Sequence, residues 1–246
     1  MKALLDLGNS RCKFAIIDSE AEDTCGALPY REGDRLEVIA SVLQPYEGLD
    51  RIVVCSVLDQ ELNVQLQERF QAGRFYILDP SENCFGVTSA YEDPATLGAD
   101  RLAALIAAKV RYPGSTCIVD CGTAVTVDVL DQGGVHRGGV IFPGVGSMRA
   151  ALEMDTAMDV GEEAGSFTVP ATSTRDAIYS GCLSAVAGGI SRAVDGMHAE
   201  GTAFDQIILT GGDAEFLIPL LAQKVIHEPY WVLEGLRHVS KCLDAE

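Results

Sequence analysis

The stretch 119-VDCGTAVTVDVLD-131 has a counterpart far upstream, 5-LDLGNSRCKFAIID-18. In both, an apolar residue precedes Asp, a variable residue, Gly and a small polar residue. An apolar-rich run follows and closes on Asp. Asp6 aligns with Asp120, Gly8 with Gly122 and Asn9 with Thr123. A single Gly-Asn turn is an ordinary hairpin, because tight turns favour residues that tolerate positive φ. Two copies, each with an Asp at a strand end, ask for more. A buried carboxylate is costly unless it meets a cation, a metal or hydrogen-bond donors. Backbone N–H groups at a glycine turn can approach an anion closely. Two such turns facing one another can hold a polyphosphate from both sides, with the Asp residues holding the metal ions that neutralise it.

The elements around these hairpins repeat as well. Strands are expected within 3–17, then at 52–58 and 75–78, with helices at 60–72 and 99–111. The Ala- and Leu-rich 99-ADRLAALIAAKVR-111 carries Asp100 in its first turn, and Pro113-Gly114 breaks the pattern. The chain then starts over, with strands at 117–120, 124–130 and 135–142, a long helix at 174–198 and a strand at 206–210 that ends in GGDA. A helix at 214–223 and a strand at 224–227 follow. This is an internal duplication. It implies two α/β domains, 1–113 and 114–246, with a nucleotide in the cleft between them.

Composition narrows the partners. The 246 residues carry 36 acidic and 18 basic side chains, a formal charge of −18. Nucleic acid is excluded as an expected partner, since phosphate-backbone binding needs a basic face. Asp6 interrupts the apolar N-terminus, so no signal-peptide core is expected, and no apolar run is long enough for a membrane span. The eight cysteines form no CxxC pair and most sit in apolar runs such as 52-IVVCSVL-58. They read as reduced, space-filling thiols of a cytoplasmic protein. Cys117 and Cys121 flank a strand, but a zinc site there lacks two further ligands.

The paired turns resemble the two phosphate loops of the actin, Hsp70 and sugar-kinase superfamily. The stretch 207-IILTGGDA-214 resembles that superfamily's adenosine motif, where Gly211 and Gly212 leave room for a base. The resemblance implies duplicated actin-like (ribonuclease H-like) domains. Within the superfamily the chain resembles type III pantothenate kinases over nearly its whole length. The resemblance rests on DLGNS at 6–10, 91-YEDPATLGADR-101, DCGTAVTVD at 120–128, 138-GGVIFPG-144, 174-TRDAIYSG-181 and TGGDA. It implies phosphorylation of pantothenate by ATP to 4′-phosphopantothenate, the entry step to coenzyme A, and a homodimer with substrate sites near its interface.

Residue by residue, the resemblance makes Asp100 the general base and carries pantothenate contacts onto Tyr91, Gly98, Ala99, Arg101 and Thr174. ATP phosphates fall to Asp6, Gly8, Asn9, Ser10, Lys13, Gly122 and Thr123. Asp120 matches a monovalent-cation site for K⁺ or NH₄⁺, and Asp6 acts on Mg²⁺ through water. Each assignment has a plainer alternative. Asp100 suits a helix N-terminus through the helix dipole, and Arg101 suits a surface ion pair of little worth. Tyr91 can be a loop aromatic beside Pro94. Thr174 can be a helix cap, with Asp176 and Ala177 in the first turn. Lys13 faces either phosphate or solvent. The acidic stretch 153–171 reads as a surface loop leading to Thr174. A kinase for another hydroxylated metabolite, or a nucleotide-dependent switch, are the rival functions. A switch predicts a defective acceptor site, whereas Asp100, Arg101 and Thr174 are all present.

Overall fold

The structure is a computed structural model. It describes the chain except residues 19–20, 31–33, 47, 71–73, 83–84, 156–164 and 246. The chain divides into two compact units, Met1–Pro113 with Gly134–His136 and Tyr230–Glu246, and Gly114–Gly133 with Arg137–Pro229.

The first unit begins with β1 (Lys2–Leu7), β2 (Arg11–Ile17), β3 (Thr24–Pro29) and α1 (Arg35–Leu43). It continues with β4 (Arg51–Ser56), α2 (Gln60–Arg69), β5 (Phe75–Ile77), β6 (Thr88–Ser89) and α3 (Ala99–Arg111). Its sheet has the order β3-β2-β1-β4-β5. The inner strands β1 and β4 are almost wholly apolar and buried, as parallel strands covered on both faces require. Asp34 and Asp59 cap α1 and α2 by accepting from the N–H groups of Leu36 and Leu62.

The second unit contains β7 (Thr116–Cys121), β8 (Ala124–Leu130), β9 (Val135–Pro143), α4 (Val145–Asp155), α5 (Thr174–Ala199), β10 (Gln206–Thr210), α6 (Ala214–Leu217) and β11 (Ile226–His227). Its strands run β9-β8-β7-β10-β11, the same order as the first sheet. The pairings correspond too. β1 is antiparallel to β2 and parallel to β4, and β7 is antiparallel to β8 and parallel to β10. The duplication read from two hairpins therefore extends through the whole sheet. The first residues of β9, Val135 and His136, belong with the first unit, where they pair with Thr88 and Ser89 of β6.

Several elements differ from the sequence reading. The expected helix at 214–223 stops at Leu217 and continues as a 3₁₀ turn over Ile218–Leu220. Pro219 supplies no N–H and its ring cannot sit inside an α-helix. The acidic stretch 153–171 begins as the end of α4, and its residues 156–164 lie outside the described residues. β3, α1 and α4 were not expected at all.

Nor was α7 (Trp231–Leu243), the last helix. It was grouped by sequence with the second domain, yet Tyr230–Glu246 folds with the first unit. The reason is an apolar face with nowhere else to go. Trp231, Leu236 and Val239 are fully buried. The Trp231 indole Nε1–H donates to the Ala104 carbonyl at 3.0 Å. Burying each such side chain is worth roughly 1.5–3 kcal/mol. Gly235 lets α7 cross α3 closely, since a Cβ there would overlap the Ala103 carbonyl.

Candidate functional site

The turn after β1 places Asn9 and Ser10 at its exposed tip. Gly8 N–H donates to the Arg11 carbonyl at 3.1 Å. Asp6, only 6% exposed, is registered across from Lys13, whose Nζ lies 3.6 Å from its Oδ2. Lys13 thus turns toward the Asp6 carboxylate, which resolves its side-chain direction. The Cys12 thiol beside this pair is pushed up to about 12 by burial and by Asp6, so it stays protonated and is no nucleophile. Two contacts invisible in the sequence brace the tip. Arg35 Nη2 donates to the Asn9 carbonyl at 3.3 Å, and Tyr30 N–H to the Ser10 carbonyl at 3.0 Å. The Arg35 guanidinium also lies over the Tyr30 ring, 5.4 Å from its centroid.

The second turn is one residue tighter. Asp120 is registered with Thr126, whereas Asp6 reaches Lys13. Gly122 N–H donates to the Ala124 carbonyl at 3.1 Å. The Thr123 carbonyl accepts from Gly144 N–H at 3.0 Å and from Ser147 Oγ at 2.6 Å, so the start of α4 holds this loop. A Cβ at Gly144 would overlap the Gly122 carbonyl, which gives the glycine of 138-GGVIFPG-144 a physical reason. Asp120 is registered with Thr126 on one side and Thr210 on the other. Registered residues share a sheet face, so a carboxylate stands between two hydroxyl-bearing side chains. That oxygen set suits a hard cation. Among the described residues no group of three or more His, Cys, Asp or Glu is placed to hold a metal.

The glycine-rich turn after β10 packs on this loop. Gly211 has φ of +98°, and a Cβ there would lie about 2.5 Å from the backbone N of Cys121. Asp213 N–H donates to the Cys121 carbonyl at 3.0 Å. Gly211 is therefore required by the fold, while Gly212 is exposed beside it.

Gly8 and Gly122 behave otherwise. Neither is among the positive-φ glycines, so the turn conformation is not their reason, contrary to the hairpin expectation. A Cβ at Gly8 would meet only the Arg11 carbonyl, at 3.4 Å, and one at Gly122 nothing nearer than 3.5 Å. The chain itself has room for a methyl group at both positions. That open space is wide enough for a ligand to approach the backbone closely. Gly8→Ala should accordingly change stability by no more than about 1 kcal/mol. It should weaken ATP binding roughly tenfold or more, the worth of one charge-assisted contact to phosphate. Thermal unfolding and nucleotide titration check the two halves, and unaltered ATP affinity would remove Gly8 from the phosphate site.

The segment 91-YEDPATLGADR-101 runs into α3. Gly98 is the N-cap, with no side-chain capping bond. Asp100 folds back over it: Oδ1 accepts from Arg101 N–H at 2.7 Å, and a Cβ at Gly98 would lie 2.5 Å from that oxygen. The Asp100 carboxylate thus fills the space beside Gly98. Arg101 is 7% exposed, which rules out a surface ion pair. Its Nη1 donates to the Tyr91 hydroxyl at 2.8 Å, and its Cζ lies 5.4 Å from the centre of the Tyr91 ring. Tyr91 thus partners Arg101 from the loop between β6 and α3. Tyr91, Gly98, Ala99, Asp100 and Arg101 form one cluster at the start of α3.

Thr174 lies in the second unit, as the first residue of α5. The cap is Ser173, which accepts from Asp176 N–H at 3.1 Å and donates to its Oδ2 at 2.7 Å. Thr174 is free of that duty and lines a cavity of about 840 Å³ between α4 and α5. Pro143, Met148, Leu152, Ile178 and Cys182 make its wall largely apolar.

Comparison with known proteins fixes the family. The model of the type III pantothenate kinase family matches residues 3–196. The type III pantothenate kinase of Halorhodospira halophila is 37% identical over 98% of this chain and 98% of its own. That of Nitrosococcus oceani is 35% identical over 98% of this chain and 94% of its own. The chain belongs to the type III pantothenate kinase family.

Solved structures support the fold expected of this family. A protein described as a putative Baf family transcriptional activator from Campylobacter jejuni superposes with a TM-score of 0.64 at 22% identity, over 99% of this chain and 100% of its own. A putative 2-dehydro-3-deoxygalactonokinase from Sinorhizobium meliloti gives 0.61 at 16% identity, over 99% of each. At such identities these matches speak to fold alone. In this pantothenate kinase family member, sequence reading missed Tyr30 and Arg35 at the first loop, and Gly144 and Ser147 at the second. Only GGVIFPG carried any signal, as a motif without a role. The other contacts depend on which elements meet in space.

Proposed function

We propose that this protein transfers the γ-phosphoryl group of ATP to pantothenate, giving ADP and 4′-phosphopantothenate in the synthesis of coenzyme A. The observation that carries the reading is the pairing at the start of α3. A carboxylate, Asp100, stands next to a buried guanidinium, Arg101, in a chain with few cations. Pantothenate offers a matching pair of groups, a hydroxyl to be phosphorylated and a carboxylate to be gripped. Asp100 orients the hydroxyl and takes its proton as the oxygen attacks phosphorus in line, and ADP leaves. Arg101 binds the carboxylate through two parallel N–H donors.

The two glycine turns contribute backbone N–H groups to the nucleotide phosphates, with Asn9, Ser10, Lys13 and Thr123 around them. Gly211 and Gly212 serve the adenosine end. Bound Mg²⁺ neutralises charge on the phosphates, and it usually keeps several waters and one or two carboxylates. Asp6 suits the water-mediated role because Lys13 already stands against it. A second copy of the chain completes the assembly. The largely apolar lining of the cavity that includes Thr174 supports assigning Thr174 to acceptor binding. Every cysteine among the described residues is a free thiol, which supports a reducing, cytoplasmic setting. No helix among those residues is long and apolar enough to cross a membrane.

The test is ADP release from ATP, Mg²⁺ and K⁺ with pantothenate and other small hydroxy acids as acceptors. Turnover on pantothenate alone is expected. A nucleotide switch would bind ATP without acceptor-dependent turnover. Asp120 between Thr126 and Thr210 adds a second expectation. Activity should be low in sodium-only buffer and recover on adding KCl or NH₄Cl. An enzyme indifferent to the monovalent ion would sink the assignment of Asp120.

A further inference from the structure

We infer that His136 is a positioning residue of the acceptor site, acting through Tyr91 on Arg101. His136 is fully buried, at 0% exposure. Its ring lies against Tyr91, with centroids 5.3 Å apart and planes tilted by 42°. The backbone fixes this meeting. Thr88 N–H donates to the Gly134 carbonyl at 2.8 Å and Ala90 N–H to the His136 carbonyl at 3.0 Å. The register Thr88↔Val135 and Ser89↔His136 then delivers Tyr91 just past the end of the ladder. Tyr91 N–H is held in turn by Ser89 Oγ at 3.1 Å. Tyr91 presents its hydroxyl to Arg101 Nη1 and its ring beside the same guanidinium.

Three chain segments therefore converge on one cation. A free arginine side chain samples many rotamers, and a guanidinium binds a carboxylate bidentately only when its plane is set. The Tyr91 hydroxyl sets that plane, and a phenol ring is itself set by what packs on it. Aromatic pairs at this spacing are worth more than the area they bury. The His136 ring holds Tyr91, Tyr91 holds Arg101, and Arg101 selects an acid over a neutral acceptor. His136 itself need not touch the substrate.

The inference rests on the reading that Arg101 grips the pantothenate carboxylate, so the wild-type arm tests that first. Steady-state KM values for pantothenate, ATP and pantothenol, the neutral alcohol analogue, are measured for wild type, H136L, H136M, H136F, Y91L and Y91L/H136L. Expected for H136L and H136M is a pantothenate KM raised about three- to tenfold, the size of an aromatic contact. ATP and pantothenol KM should stay within about twofold, so discrimination against the alcohol falls. H136F should restore it, because the ring contact returns. In the Y91L background H136L should add less than about twofold, because its route is gone. A variant that unfolds in part still reports, since lost protein lowers the maximal rate and not KM. Equal rises in both substrates' KM, an unchanged pantothenate KM, or multiplying effects in the double variant would each overturn the inference. If H136F is as impaired as H136L, the histidine acts by its nitrogens and not by packing on Tyr91. If wild type itself does not use pantothenate, the functional reading fails and this inference with it. If wild type does and H136L matches it, only the inference fails.

Discussion

Asp100→Asn should give a folded protein that phosphorylates pantothenate at least about a hundredfold more slowly than wild type, the usual size of a general-base contribution. The substitution is nearly isosteric. The side-chain oxygen that accepts from Arg101 N–H at 2.7 Å can be kept by the amide, and the shape that Gly98 accommodates is unchanged. The loss to α3 is the charge at its N-terminus, about 0.3–1 kcal/mol. What the amide cannot do is take the hydroxyl proton. The maximal rate should collapse while the melting temperature and ATP affinity hardly move. Circular dichroism, nucleotide titration and a coupled ADP assay check the three parts. Near-normal turnover would refute the role of Asp100.

Arg101→Ala should raise the KM for pantothenate roughly ten- to a hundredfold and leave ATP binding nearly intact. That range corresponds to about 1.5–3 kcal/mol for a charge-assisted pair. The burial of Arg101 and its bond to Tyr91 raise the stakes. Removing the guanidinium leaves the Tyr91 hydroxyl without its donor, so some loss of stability is expected as well. Pantothenol separates the two effects. It should be a poor substrate of the wild-type protein, and the variant should discriminate far less between acid and alcohol. Calorimetry with pantothenate and with an ATP analogue on both proteins decides. Equal loss of both ligands would mean that Arg101 supports the fold or the nucleotide and that the acceptor lies elsewhere.

Local sequence patterns made much of the site legible. The Asp-x-Gly turns read from the chain are the turns that close β1 on β2 and β7 on β8. Asp100 and Arg101 sit in the first turn of α3, as the Ala- and Leu-rich periodicity predicts. The unread elements carried signals of their own. Asp34 before Leu36, Ile39 and Leu43 marks a capped helix, and Val232, Leu236 and Val239 are spaced for one. Gly8 and Gly122 show where pattern misleads. The letters suggest turn chemistry, but the backbone conformation is an ordinary one and the room around each glycine lies outside the chain.

By itself the sequence determined the duplication, the α/β class and the order of the motifs, because strand alternation, helix periodicity and short turns depend on near neighbours along the chain, and it pointed to the family through the resemblance those motifs carry. The tertiary structure decided which side chains answer one another. It set Lys13 against Asp6, moved the cap of α5 from Thr174 to Ser173, and seated α7 on α3. It also brought His136 and Arg101 to the same tyrosine. These contacts join residues far apart in the chain. A buried polar group finds its partner only after the sheets have formed, so the pairing is fixed by packing and leaves no periodic mark in the letters.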